Sequence, residues 1–160
     1  MKYIPKLYLE TTVFNFYFAG KEGKKQQDTH MLFEAIEKGK YEAYTSFYTL
    51  NEISKDTPYR FRMMKEIIDK FVKNIIYTEK DIKRLAGIYI SKGIIPEKHL
   101  MDARHIASAV INNLDFLVSY NLGHIVKQKT MIGTGFVNLQ NGYRQIGLCT
   151  PTEVIEYAKE

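Results

Sequence analysis

Three carboxylates stand out by where they fall in the chain. Glu10 follows the apolar run "LYL", Glu52 sits in "FYTLNEIS", and Asp102 opens "MDARHIASAVINNLDFLVS". Two further polar residues, Ser119 and Asn121, close that stretch in "SYN". Acids gathered in one crevice repel one another unless a cation lies among them. Oxygen ligands without sulfur point to Mg²⁺ or Mn²⁺, because Mg²⁺ is usually held by one or two carboxylates with waters completing its octahedron. In a basic protein such an ion suits phosphodiester hydrolysis, where metal-bound water attacks and the metal charge stabilises the leaving oxygen. No nucleophilic side chain is then required.

For these residues to meet, the elements that carry them must run in a particular order. "KLYLETT" reads as a strand, and the polar stretch Gly20–Asp28 leads to a helix with Met31, Leu32, Ala35 and Ile36 at helical spacing, stopped at Gly39. "YEAYTS" is a second strand continued by the helix "FYTLNEIS". Pro58 starts a long amphipathic segment, "NIIYT" is a third strand, and "EKDIKRLAGIYISKG" is a helix capped by Gly93. A helix over 100–113 precedes "DFLVS", a strand whose lack of alternation predicts burial on both faces. "YRQIGLCT" is a fifth strand, with "PTEVIEYAKE" a closing helical turn. Strands separated by helices imply one domain over residues 1–160, with a mostly parallel five-stranded sheet in a three-layer α/β/α sandwich. Ligands of such sheets collect beyond the strand carboxyl ends, at the point where strand order reverses. If the first strand is central and the fourth lies beside it across a reversal of strand order, Glu10, Glu52, Asp102 and the rim of Ser119 and Asn121 all converge on that crevice.

Each residue also has a purely structural reading. Asp102 could be an acid favoured by the helix macrodipole, Glu52 a solvated helix residue, Glu10 a cap of the turn after the first strand, and Asn121 a turn or N-cap residue. The functional reading rests on their convergence. His105 is expected on the packed side of its helix, and His124 either contacts phosphate or supports a metal through water, or packs at a helix start. "GTG" at 133–135 does not complete a dinucleotide fingerprint. The basic residues Arg60, Arg62, Lys65, Lys70 and Lys73 form a solvated face, a groove wall or a docking surface. Twenty-three Lys and Arg against eighteen Asp and Glu give a net charge of +5, which favours polyanionic partners. The single cysteine, Cys149, excludes an internal disulfide and a cysteine-built zinc site. No apolar run approaches the roughly 18 to 20 residues of a membrane span, so the expected location is the cytoplasm, with no membrane partner.

The motifs, taken in order, resemble those of PIN domains. "LYLETTVFNFYF" is similar to that family's opening strand and turn, "YTSFYTLNEIS" to its second acidic motif, and "MDARHIASAVINNLDFLVSYNLGHI" to its third and fourth; "GYRQIGLCTPTEVI" is similar to its last strand. The resemblance implies an α/β/α fold, a Mg²⁺ or Mn²⁺ site and ribonuclease activity, most often as a VapC-type toxin held by a small antitoxin protein. It maps the acids onto Glu10, Glu52 and Asp102, and the polar rim onto Ser119 and Asn121. It also favours a homodimer, for which the helix "YRFRMMKEIIDKFV" is the interface candidate because Met and aromatics are enriched in such surfaces. Two departures weaken the expectation of activity. Glu10 stands where Asp is commoner, and Asn121 keeps a carbonyl ligand but removes a charge. The alternative is a catalytically weak or inactive module that binds RNA or a protein through the same crevice.

Overall fold

The computed structural model describes residues 2–18 and 23–159; the start of the polar stretch Gly20–Asp28 lies outside them. The chain alternates β1 (Lys6–Leu9), α1 (Thr11–Tyr17), α2 (Lys24–Glu37), β2 (Glu42–Ser46), α3 (Phe47–Ile53), α4 (Pro58–Phe71), β3 (Asn74–Ile76) and α5 (Lys80–Ser91). A 3-10 turn (Glu97–His99) leads into α6 (Leu100–Ile111), followed by β4 (Phe116–Val118), α7 (Gln128–Gln140), β5 (Gly147–Cys149) and α8 (Pro151–Ala158). The strands form one sheet in the order β3-β2-β1-β4-β5, and every pairing is parallel.

The sheet is covered on both sides because its strands send alternate side chains to opposite cores. Leu7, Leu9, Ala43 and Val118 pack with α1, α2, α4 and α8, whereas Tyr8, Leu117 and Leu148 pack with α5, α6 and α7. This is the three-layer α/β/α sandwich that the strand–helix alternation predicts. Connections toward β3 cross one face and those toward β5 cross the other, as right-handed crossovers require. Strand order therefore reverses at β1, and a crevice opens between the carboxyl ends of β1 and β4. Gly39 and Gly93, at φ +78° and +73°, end α2 and α5 in the left-handed conformation that glycine adopts without strain.

Four features differ from the sequence reading. α2 begins at Lys24, inside the polar stretch, where Lys24 pairs with the buried Asp28 at 3.3 Å and Thr152 bonds the same carboxylate. The closing turn is an eight-residue helix, fixed by a reciprocal capping box between Thr150 and Glu153. The segment around "GTG" forms α7, which the two glycines had disguised. The apolar stripe of α4 also faces inward rather than outward. Met64, Ile67, Ile68 and Phe71 are buried in the core, leaving Tyr59 as its strongly exposed large apolar residue. Its basic residues lie on the solvated face, Arg60 paired with Asp56 and Lys65 with Asp69. Among the described residues no helix is long and apolar enough to cross a membrane.

Candidate active site at the strand carboxyl rim

Glu10 is the residue at which β1 turns into α1. Its carboxylate accepts from Thr12 N at 3.2 Å, so it caps the helix, as the structural reading anticipated. The same oxygen, Oε1, also accepts from Thr12 Oγ1 and Ser119 Oγ, both at 2.6 Å. Three donors on one oxygen leave Oε2 with none among the described residues. Ser119, wholly buried at the end of β4, accepts from Asn121 N at 2.9 Å. Thr12 Oγ1 further accepts from Tyr120 N at 2.9 Å. The β1 and β4 termini are thereby locked together, with Glu10, Ser119 and Asn121 in one hydrogen-bonded set.

Asp102 lies in the first turn of α6, with its carboxylate 3.5 Å from His99 Nδ1. Burial raises its pKa, and the nearby His105, His99, His124 and Asn121 only partly offset this. The rings of His99 and His124 stack at 3.5 Å beside it. His124 is thus at the rim rather than in the core, and its Nδ1 is buried without a partner among the described residues.

Glu52, near the end of α3, reaches the same rim by a different route. Its Oε1 hydrogen-bonds His105 Nε2, and His105 Nδ1 lies 2.6 Å from Tyr8 Oη, itself 2.6 Å from Ser46 Oγ. Burial works against charging His105, yet Tyr8, Glu52 and Glu10 together hold its pKa well above the usual imidazole range. In the imidazolium both N–H groups donate, Nε2 to Glu52 and Nδ1 to Tyr8, and the Tyr8 hydroxyl in turn donates to Ser46 Oγ. Burial likewise raises the Glu52 pKa, but His105 overcomes it and the net shift is downward. Thr11 Oγ1 is close enough to contribute, yet it is buried and makes no full hydrogen bond. His105 is fully buried, as expected of a packed residue, but it also orients an acid. The i,i+3 spacing from Asp102 puts both residues on one helical face, whereas nothing local signals that Tyr8 would meet them.

The five residues are therefore joined in two groups, Glu10–Ser119–Asn121 beside Asp102, and Glu52 bonded to His105. A cleft of about 670 Å³ lies elsewhere, at the amino edge of the sheet between Tyr3, Tyr41 and Tyr157. The candidate residues lie instead at the carboxyl edge. Among the described residues no three His, Cys, Asp or Glu side chains converge closely enough to hold a metal ion. The donor chemistry nevertheless suits a hard cation, since Mg²⁺ needs only one or two carboxylates and completes its shell with water. Glu10 has a carboxylate oxygen without a donor among the described residues, and Asp102 lies by Asn121 at the same edge, while Glu52 bonds His105.

Asn121 Oδ1 accepts from His124 N at 3.0 Å, and its amide also helps to lower the Asp102 pKa. Asn121→Asp keeps the first interaction but sets a second acid against Asp102. Without metal, the variant is expected to be less stable at neutral pH by on the order of 1 kcal/mol. The deficit should close as pH falls through the carboxylate range, and excess Mn²⁺ should also remove it. Urea melts with and without Mn²⁺ measure this. Equal stability under all conditions would place residue 121 away from Asp102.

No protein-family model matches the sequence, and no curated protein matches it. Among solved structures the fold is similar to a chain in the crystal structure of VapBC2 from Rickettsia felis bound to a DNA fragment from their promoter. The TM-score is 0.59 at 16% sequence identity, covering 91% of this chain and 98% of that chain. At that identity the likeness carries the fold alone, and function has to be argued from the rim.

Proposed function

We propose that the chain is a Mg²⁺- or Mn²⁺-dependent endoribonuclease of the PIN type, acting in the cytoplasm as the toxin of a toxin–antitoxin pair. The single observation that carries this reading is the position of Glu10 and Asp102 at the strand-order reversal of a parallel sheet, with Ser119 and Asn121 beside them. The similarity of fold to a chain of a VapBC2 complex supports a small protein antitoxin as partner, and the net charge of +5 supports a polyanionic substrate. In this reading Glu10 and Asp102 hold the ion. When bound, it supplies an activated water and charge stabilisation for the leaving oxygen. Ser119 and Thr12 fix the rotamer of Glu10, Asn121 orients water at the rim, and His105 sets the direction of the Glu52 carboxylate. A homodimer is part of the proposal, but not through the buried stripe of α4.

The bond between Glu52 and His105 favours a second reading, a weak or inactive module that binds RNA without cutting it, because it occupies an acid that would otherwise face the ion. One experiment separates the two. Purified protein is titrated with Mn²⁺ by calorimetry and incubated with end-labelled single-stranded RNA in Mn²⁺, Mg²⁺ or EDTA. The nuclease reading expects Mn²⁺ binding and cleavage that EDTA stops. RNA binding without cleavage at saturating Mn²⁺ would establish the inactive module instead.

A further inference from the structure

The carboxyl rim does not end at the acids. β2 pairs with β3 so that Ser46 lies opposite Ile76, and Phe47 and Tyr77, each one residue past its strand, leave the sheet side by side. Their rings are parallel to within 9° at a centroid separation of 6.4 Å. Phe47 packs on Tyr48 at 4.1 Å, and Tyr48 meets His105 edge-on at 6.4 Å. An aromatic row therefore runs from the histidine that holds Glu52 out to Tyr77, which is 65% exposed.

Two polar atoms along this row have no partner among the described residues. One is the hydroxyl of Tyr48, a residue only 2% exposed, and the other is the buried Nε of Arg104. Arg104 lies over the Tyr48 ring, 5.7 Å from its centroid. Buried polar groups without partners are rare in folded proteins and need an explanation. Lys83 also bears on the Tyr48 hydroxyl, as does Glu79, which pairs with Lys83 at 2.8 Å. An exposed π-face at one end of an aromatic row and a guanidinium stacked on the row's other end is the chemistry that recognises single-stranded nucleic acid, the ring taking a base and the cation a phosphate.

We infer that Phe47, Tyr48, Tyr77 and Arg104 form a base-stacking subsite for single-stranded RNA, with Tyr77 stacking on a base and the Arg104 guanidinium, further along the row, attracting a phosphate of the same strand. The subsite rests on the ribonuclease reading for its substrate and adds where that substrate is gripped. β3 lies two strand spacings from β1, about 10 Å, so the stacked base belongs to a nucleotide flanking the bond to be cut. Stacking of this kind is tolerant of sequence, because every base has a π-face.

The test measures binding of a short fluorescein-labelled single-stranded RNA in EDTA, so that no cleavage intervenes, with inorganic polyphosphate as a polyanion lacking bases. Tyr77→Ala is expected to weaken RNA binding roughly 10- to 100-fold and leave polyphosphate binding unchanged, while Tyr77→Phe retains both. Arg104→Gln should weaken both and reduce the salt dependence of RNA binding by about 0.7 in log–log slope. Equal RNA binding by wild type and Tyr77→Ala overturns the subsite and assigns the exposed ring to a protein contact, while Mn²⁺-dependent cleavage by the wild type would still uphold the nuclease. A wild type that binds no RNA also overturns the subsite, and the nuclease reading falls with it only if cleavage is absent too. Binding that depends on Tyr77 without cleavage upholds the subsite and removes the nuclease.

Discussion

Asp102→Asn is expected to reduce Mn²⁺-dependent cleavage of single-stranded RNA by on the order of 10³-fold, the loss that follows when a metal contributing several kcal/mol to the transition state is no longer held. Stability should hardly change. The substitution keeps the size and much of the hydrogen bonding of the side chain, and it forfeits about 0.3 to 1 kcal/mol of favourable interaction with the α6 dipole. Against that loss, burial has raised the Asp102 pKa, so ionising the native carboxyl opposes folding. The sign follows from linkage: a raised folded pKa means that the native state binds the proton more tightly than the unfolded chain. Its contribution to stability is full below the ordinary carboxylate value and is lost as pH rises through the raised one. Asn removes this dependence, and at neutral pH the two effects oppose each other. Calorimetric Mn²⁺ affinity, cleavage rate and thermal melts should therefore separate, the first two falling and the third staying within a few degrees. If stability falls as far as activity, Asp102 is a helix-start acid and no more. Unchanged Mn²⁺ binding would remove it from the ligand set.

His105→Ala is expected to be the most destabilising single change at the rim. It removes a fully buried ring that bonds Glu52 and Tyr8 at once, and breaking a buried ion pair typically costs about 3 to 5 kcal/mol. For a domain of this size that corresponds to a fall in Tm of roughly 10 °C. Glu52→Gln should cost less, because the Glu52 side chain is 31% exposed and its site can admit water. The pair also sets a pH window. The raised His105 pKa contributes stability that is fully present below the ordinary imidazole value and is lost as pH rises through the higher folded value. The lowered Glu52 pKa contributes stability present above the ordinary carboxylate value and lost as pH falls through the depressed one. Wild-type stability should thus hold between these limits and decline in the alkaline range. His105→Gln, which keeps a hydrogen-bonding side chain but no charge, should lose the alkaline decline. Urea midpoints from pH 5 to 10 give the profile. A His105→Ala variant within 1 kcal/mol of wild type would show that the pair does not hold α3 to α6.

The order of strands and helices was determined by local chemistry that the sequence displays openly. "LYL" and "FLV" are apolar runs too short to be helices, Gly39 and Gly93 supply the left-handed residues that end α2 and α5, and Pro58 and Pro151 open α4 and α8. Once these elements alternate, the handedness of the crossovers leaves few topologies. The placement of Glu10, Ser119 and Asn121 at one edge follows from their sitting directly after β1 and β4. Helix α7 was hidden for a local reason too, since Gly133, Gly135 and several β-branched residues depress its propensity. Packing of Val137 into the core overrides that cost.

Tertiary structure alone decided what the acids touch. The partner of Glu52 comes from α6, 53 positions away, and that histidine is held in turn by a tyrosine whose side chain projects from β1 toward the α6 face of the sheet. No periodicity announces such a contact, because it arises from the register of β1 against β2 and the depth at which α6 crosses them. The aromatic row from Tyr48 to Tyr77 has the same origin. Each residue reads locally as the end of a strand or the start of a helix, and only the pairing of β2 with β3 sets their rings in line. Local sequence determines where a side chain leaves the backbone, but the long-range pairing of strands determines which side chains leave it together.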